Sequence, residues 1–352
     1  MGIRVRRSTR RLTDRWRCVP VEPRGSTELG ISFRPLQAES FGLDPRSALR
    51  TLLAHPFQVV RLGAYWSRME PEPGSFRPEE LDQQVDECER AGRRIVLCLG
   101  AVKTFGYPEF FVPAHHLRRP LREGALVEPA EHASLLAAAT AFATRVVERY
   151  RGRPAISAWQ VEHEAVDPLG VEHSWRLSAA FVEREVAAVR AADPTRPVVM
   201  TGFFPATLPG RVVQRRRTRD QGDSLAVAER LADIVGVDDY PRLALVGGRG
   251  LTVYADGSGG VARPVRRATR RLMVTEGQAE PWEAVTTPPN PPGRAMTSCL
   301  PEHVIENYNR CMRWGLPLEA YLFWGAEYWL ARDRSGDPRY LAAFARVLER
   351  AG

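Results

Sequence analysis

The chain is almost devoid of lysine: Lys103 is the single one, and arginine supplies every other long basic side chain. So strong a bias reads as a coding preference rather than site chemistry, although arginine's planar fork serves ion pairing in ways lysine cannot. Long apolar runs are missing too, so no membrane-spanning helix is expected. The basic N-terminus is followed by no apolar stretch of signal-peptide type, so the chain is expected in the cytoplasm unless a different start carries an export signal. No glycine-rich phosphate loop follows any strand candidate, which speaks against a doubly wound nucleotide-binding sheet. The five cysteines (18, 88, 98, 299 and 311) are odd in number and lack CxxC or Cys/His zinc spacing. They suggest a reducing compartment, with Cys88 and Cys98 as core residues.

What is present is an ordinary globular composition, 44% hydrophobic and 26% charged over 352 residues. That length allows two domains or one large α/β barrel. The net charge of +8 is concentrated in the first 26 residues, whose eight arginines face only Asp14 and Glu22. Without interleaved aromatics or a recognition motif, this arm does not indicate nucleic-acid binding. We expect a disordered basic tail over 1–26 and one domain over 27–352. The basic run at 212–220 is expected to be solvated loop.

Eight short apolar segments follow, at 28–33, 57–63, 93–100, 155–162, 196–203, 233–240, 270–276 and 319–325. Their continuous rather than alternating character fits strands buried on both faces of a parallel sheet. An amphipathic stretch follows each except the sixth, where "PRLALVGGRGLTVYADGSGG" reads as a hairpin insertion with a short basic helix after it. Eight βα units predict a single-domain (β/α)8 TIM barrel, in the α/β class, whose site lies at the C-terminal strand ends. Arg61 and Trp66 follow the second strand, Lys103 the third and Glu162-His163-Glu164 the fourth. Asp238, Asp239 and Tyr240 end the sixth, Glu276 the seventh and Trp324 the eighth.

Those carboxylates and His163 suggest either an acid/base pair or an oxygen-rich metal cluster. Neighbours on a strand point to opposite faces, so the cluster is disfavoured and no metal is expected. Alone, Glu164 reads as an exposed helix-start glutamate, and Glu276 as a loop residue. Together, at the ends of strands four and seven, they read as a functional pair. Glu162 is expected to point elsewhere, Trp159 to be core, and His115 and His116 to be loop residues rather than ligands.

These segments resemble the retaining (β/α)8 glycoside hydrolases of clan A, and within it the cellulase-like members. The resemblance runs in order from about residue 28 to 350. "WQVEHEA" carries Trp159 and Glu164 in the clan's W-x-x-x-N-E setting, and "MVTEGQAEPW" presents Glu276. "VVRLGAYWSRMEPEPGSF", "VGVDDYP" and "YLFWGAEYW" are similar to its second-, sixth- and eighth-strand segments. The resemblance implies that Glu164 is the acid/base and Glu276 the nucleophile, acting on a carbohydrate without a cofactor. It also implies that Arg61 and Tyr240 support the nucleophile.

Trp66, Trp282 and Trp324 offer flat faces to a sugar, and Lys103 is a further candidate contact. Tyr240 and Trp324 are otherwise open to reading as rim packing. One departure stands out: the clan's asparagine before the acid/base is His163 here. A neutral imidazole can donate to the sugar 2-hydroxyl, whereas a charged one would oppose the acid role of Glu164. The departure also favours, as an alternative, a non-catalytic carbohydrate-binding barrel. A metal-dependent barrel enzyme is the remaining alternative.

Overall fold

A computed structural model describes residues 2–7, 12–106, 109–122, 124–166, 175–203, 212, 224–248, 251–256, 265, 269–282 and 298–352. Eight parallel strands close into a barrel: β1 (Glu28–Ser32), β2 (Val59–Gly63), β3 (Arg94–Cys98), β4 (Ile156–Gln160), β5 (Val198–Phe203), β6 (Ile234–Asp239), β7 (Arg271–Gln278) and β8 (Leu318–Trp324). Each coincides with one of the eight expected segments. Among the described residues, the helices of eight residues or more are α1 (Pro45–Leu53), α2 (Glu79–Arg90), α3 (Ala133–Tyr150), α4 (Ala179–Ala192), α5 (Ser224–Leu231), α6 (Pro301–Met312), α7 (Ala326–Arg334) and α8 (Arg339–Arg350).

The sequence shows why α1 and α4 begin where they do. Asp44 and Ser178 cap them, accepting hydrogen bonds from the backbone N–H groups of Ser47 and Phe181. The expected hairpin is present as Arg242–Gly248 paired with Leu251–Asp256, and the basic helix expected after it lies outside the described residues.

The barrel interior follows a period of two along each strand. Val59, Val96, Ala158, Val199, Ile234, Met273, Ala320 and Leu322 form one apolar layer at its centre. Two residues further along, the inward positions become Ser32, Arg61, Cys98, Gln160, Thr201, Thr275 and Trp324, all buried. An apolar plug thus supports a mainly polar layer at the C-terminal mouth, while a larger apolar shell fills the space between strands and helices.

The expected tail is corrected by the structure. Gly2–Arg7 pairs antiparallel with Leu251–Asp256, extending the hairpin into a three-stranded sheet. Further on, Arg15–Cys18 forms a 3-10 turn that buries Trp16. The chain behind it is tied down by Asn309, which accepts from the Glu22 N–H at 2.8 Å and donates to the Pro20 carbonyl at 2.7 Å. Net charge indicated a solvated arm, but it cannot report backbone pairing with a distant hairpin. Among the described residues, no helix is long and apolar enough to cross a membrane.

Candidate active site

The strand ends carry three acidic side chains, Glu164, Asp238 and Glu276, and His163 to a single buried place. Glu276 stands on β7 just after a register shift against β6, between Val274 and Glu276. The irregularity lets consecutive residues serve the mouth: Thr275 donates to Asp238 Oδ1 at 2.6 Å, while Glu276 meets Arg61 and Tyr240. Gly277 is required next to it, because a Cβ there would fall 2.2 Å from the Tyr321 ring.

Each oxygen of Glu276 has its own donor. Arg61 Nη1 reaches Oε1 at 2.7 Å, and the Tyr240 hydroxyl reaches Oε2 at 2.6 Å. Burial, the Glu276 charge and the hydrogen bond all hold the Tyr240 hydroxyl well above its usual range, so it remains a donor. Arg61 also donates through Nε to Gln160 at 2.7 Å, and its guanidinium lies 3.9 Å from the Phe105 ring centroid. The arginine is therefore fixed on both sides of the barrel.

The end of β4 departs from extended backbone. Glu162 and Glu164 have φ of 55° and 43°, left-handed values that cost a non-glycine residue about 1 kcal/mol or more. Hydrogen bonds hold the segment there. Lys103 Nζ donates to the Glu164 carbonyl at 2.7 Å, and the Glu164 N–H donates to Thr201 Oγ1 at 3.2 Å. Glu162 turns away, as expected, and accepts from the backbone N–H groups of Val102 and Lys103. It faces Glu185 of α4, and burial pushes both carboxyls up.

His163 lies between the two halves of the site. Its Nδ1 is 3.3 Å from Arg61 Nη2, 3.1 Å from Thr201 Oγ1 and 3.8 Å from Asp238 Oδ2. Arg61 can only donate, so Nδ1 presents its lone pair and the ring proton sits on Nε2. Nε2 lies 3.6 Å from Glu276 Oε1 and 4.0 Å from Glu109 Oε1. Burial and the charges of Arg61 and Lys103 depress the imidazole well below its usual value, so it is neutral. Asp238 is shifted the opposite way, by burial and then by the Glu276 charge. It is also hydrogen-bonded to the Glu164 side chain.

The sequence-derived residues sort clearly. Glu164, Glu276, Arg61, His163, Tyr240 and Lys103 converge, with Lys103 directed at the backbone of Glu164. Trp282 packs edge-on against Tyr240 at 5.7 Å, and Trp324 packs against Phe105 at 6.1 Å. Arg34 covers one face of Trp324 at 4.1 Å, itself held by Glu280 and Glu327. Trp66 is a correction: it is fully buried between His116 and Phe142, and its indole N–H donates to Glu70 rather than facing the mouth. Its place after β2 suggested the rim, but the Trp66–Met69 turn directs it outward onto α3.

The sequence reading missed Thr201, Gln160, Phe105 and Glu109. The first two were legible as polar residues on inward strand positions. Asp239 points out of the barrel to Arg310 and Cys311, as alternation requires.

His163, Asp238 and Glu276 place ligand atoms within 4.8 Å of one another, as do Glu109, His163 and Glu164. A cation in the first set would share Glu276 with the Arg61 guanidinium and meet its charge. That argues for Arg61 as the standing partner.

A family model for glycoside hydrolase family 42, described as beta-galactosidase, matches residues 46–183. Among solved structures, the family 42 β-galactosidase Gan42B of G. stearothermophilus is similar, in its catalytic mutant, with a TM-score of 0.57 and 14% identity over 92% of this chain and 56% of that one. A GH5_18 enzyme of Streptomyces cattleya, bound to Manb1-4GlcNAc, has a TM-score of 0.61 and 16% identity over 92% of this chain and 80% of its own. A psychrophilic family 10 endo-beta-1,4-xylanase follows at 0.51 and 14%, covering 85% of this chain and 86% of that one. This chain spans a little over half the length of the family 42 galactosidases it resembles. No curated protein matches. The solved structures thus show the fold as a (β/α)8 barrel of the kind these glycoside hydrolases share. Over residues 46–183, from α1 into α4, the chain is similar to the β-galactosidases of family 42.

Proposed function

We propose that the protein is a retaining β-glycosidase hydrolysing O-glycosyl bonds of an oligo- or polysaccharide. The observation that carries this reading is the double hold on Glu276, by Arg61 on one oxygen and Tyr240 on the other. Both donors favour an ionised carboxylate, the form a nucleophile needs. Glu276 attacks the anomeric carbon while Glu164 gives its proton to the leaving oxygen, forming a glycosyl ester and releasing the aglycone. Glu164, now a carboxylate, takes a proton from water as the water attacks the same carbon. Glu276 leaves as a carboxylate, and the configuration is retained.

His163 has a defined part in this scheme. Its Nε2–H, beside Glu276, donates to a sugar hydroxyl next to the anomeric centre, the place of the clan's asparagine. Being neutral, it does not compete with the acid role of Glu164. Lys103 and Thr201 fix the backbone of Glu164, and Trp282 and Trp324 line the sugar's approach.

The test is hydrolysis of activated aryl β-glycosides, including galactosides, mannosides and xylosides, by wild type and by Glu164→Ala and Glu276→Ala. Both variants should lose turnover, and azide should restore part of it in at least one. Full activity in either variant would overturn the assignment. Sugar binding without turnover by wild type would identify a binding barrel, and chelator-sensitive turnover a metal-dependent one.

A further inference from the structure

A second constellation lies outside this site. Glu70, from the segment after β2, faces His115 and His116, from the long loop after β3. One oxygen, Glu70 Oε1, is 3.3 Å from His115 Nε2 and 3.0 Å from His116 Nε2. The three ligand atoms lie within 4.8 Å of one another. A tetrahedral zinc ion with bonds of about 2.0–2.1 Å has donor atoms about 3.3 Å apart, so these separations match the edges of such a shell.

The rest of the arrangement fits the same chemistry. The indole N–H of Trp66 donates to the other oxygen, Glu70 Oε2, at 2.7 Å. That contact orients the carboxylate as an outer-shell partner orients a metal ligand. Trp66 also stacks on His116, with centroids 4.6 Å apart and planes at 29°, and so fixes the ring. Consecutive histidines converge here because they occupy the 3-10 turn Ala114–His116 rather than an extended strand. The three side chains are 16–24% exposed, enough for an ion to enter and keep water as a fourth ligand. Two imidazoles and one carboxylate are a donor set suited to zinc.

We propose that Glu70, His115 and His116 bind a divalent zinc-class ion that clips the loop after β3 to the segment after β2. The clip is independent of the glycosidase reading, since none of its ligands belongs to that site.

The test uses untagged full-length protein, stripped with chelator and titrated with zinc chloride by calorimetry. Cobalt absorption would report the coordination geometry. Wild type should bind one equivalent tightly, give a tetrahedral cobalt spectrum and melt several degrees higher with zinc. Glu70→Gln should weaken binding at least tenfold, and His115→Gln with His116→Gln should abolish it and the melting shift. The stripped double variant should melt like stripped wild type, which shows that it folds. His163→Asn should still bind the equivalent, excluding the catalytic pocket as its source. Undiminished binding in the double variant, or none in wild type, would overturn the proposal and leave a triad of ordinary hydrogen bonds.

Discussion

Arg61 and Glu276 meet at 2.7 Å in the barrel mouth, with exposures of only 0% and 2%. Removing one member of a buried ion pair leaves the other charge unsolvated, at about 3–5 kcal/mol. Glu276→Ala should therefore lose stability on that scale as well as activity. Glu276→Gln keeps an acceptor for Arg61 and should lose activity with a smaller stability cost. Urea unfolding of both variants measures this. An alanine variant as stable as wild type would mean that Arg61 is balanced by another group.

Tyr240 contributes a hydrogen bond to a charged group, worth about 1.5–3 kcal/mol. Its hydroxyl pKa is raised, so it donates throughout the working pH range. Tyr240→Phe removes that donor to the nucleophile and should lower kcat/KM at least tenfold, the scale of one lost hydrogen bond to a charged group. An unchanged kcat/KM would leave Tyr240 a packing residue.

From the sequence alone, His163→Asn is expected to retain or improve activity at low pH, the improvement coming from removal of a charge. The structure favours the first outcome, because burial, Arg61 and Lys103 hold the imidazole pKa well below its ordinary value. Asparagine offers a donor of the same kind, so activity should stay within about tenfold and the acid limb should not move. His163→Phe removes the donor and should cost more than tenfold at every pH, consistent with one lost polar contact. A limb that moves down in the asparagine variant would show that His163 is charged in the working enzyme.

Much of this was legible in sequence, for identifiable reasons. Buried parallel strands must be apolar on both faces, so the eight segments announced themselves and their C-terminal residues gave Arg61, Glu164 and Glu276. Turns carry no such periodic signal. Trp66 therefore read as a rim residue, although the turn it begins sends it onto α3. The bulge that brings Thr275 and Glu276 into the same mouth is also invisible to strict alternation. The pairing of Gly2–Arg7 with Leu251–Asp256 joins segments about 250 residues apart by backbone bonds, which composition does not encode.

Glu162 and Glu185 form a pH-sensitive support behind the acid/base. Both are about 1% exposed, and the Glu185 oxygens gain a partner only if one carboxyl of the pair carries a proton. Their pKa values are raised on folding, so above the unfolded value near 4.5 the native state binds more protons than the unfolded chain. This contribution is fully present below that pH and is lost as pH rises through the folded values. Asp238 adds a slope of the same sign. His163, lowered on folding, adds the opposite one, losing stability as pH falls below about 6.5. Comparison with Glu185→Gln isolates the pair, because the amide donates to Glu162 without sharing a proton. Between pH 5 and 8 wild type should lose stability relative to the variant, by up to about 1.4 kcal/mol per pH unit for each proton involved. Urea titrations at four pH values would show it, and parallel stability curves would mean that the two carboxyls do not hold a shared proton.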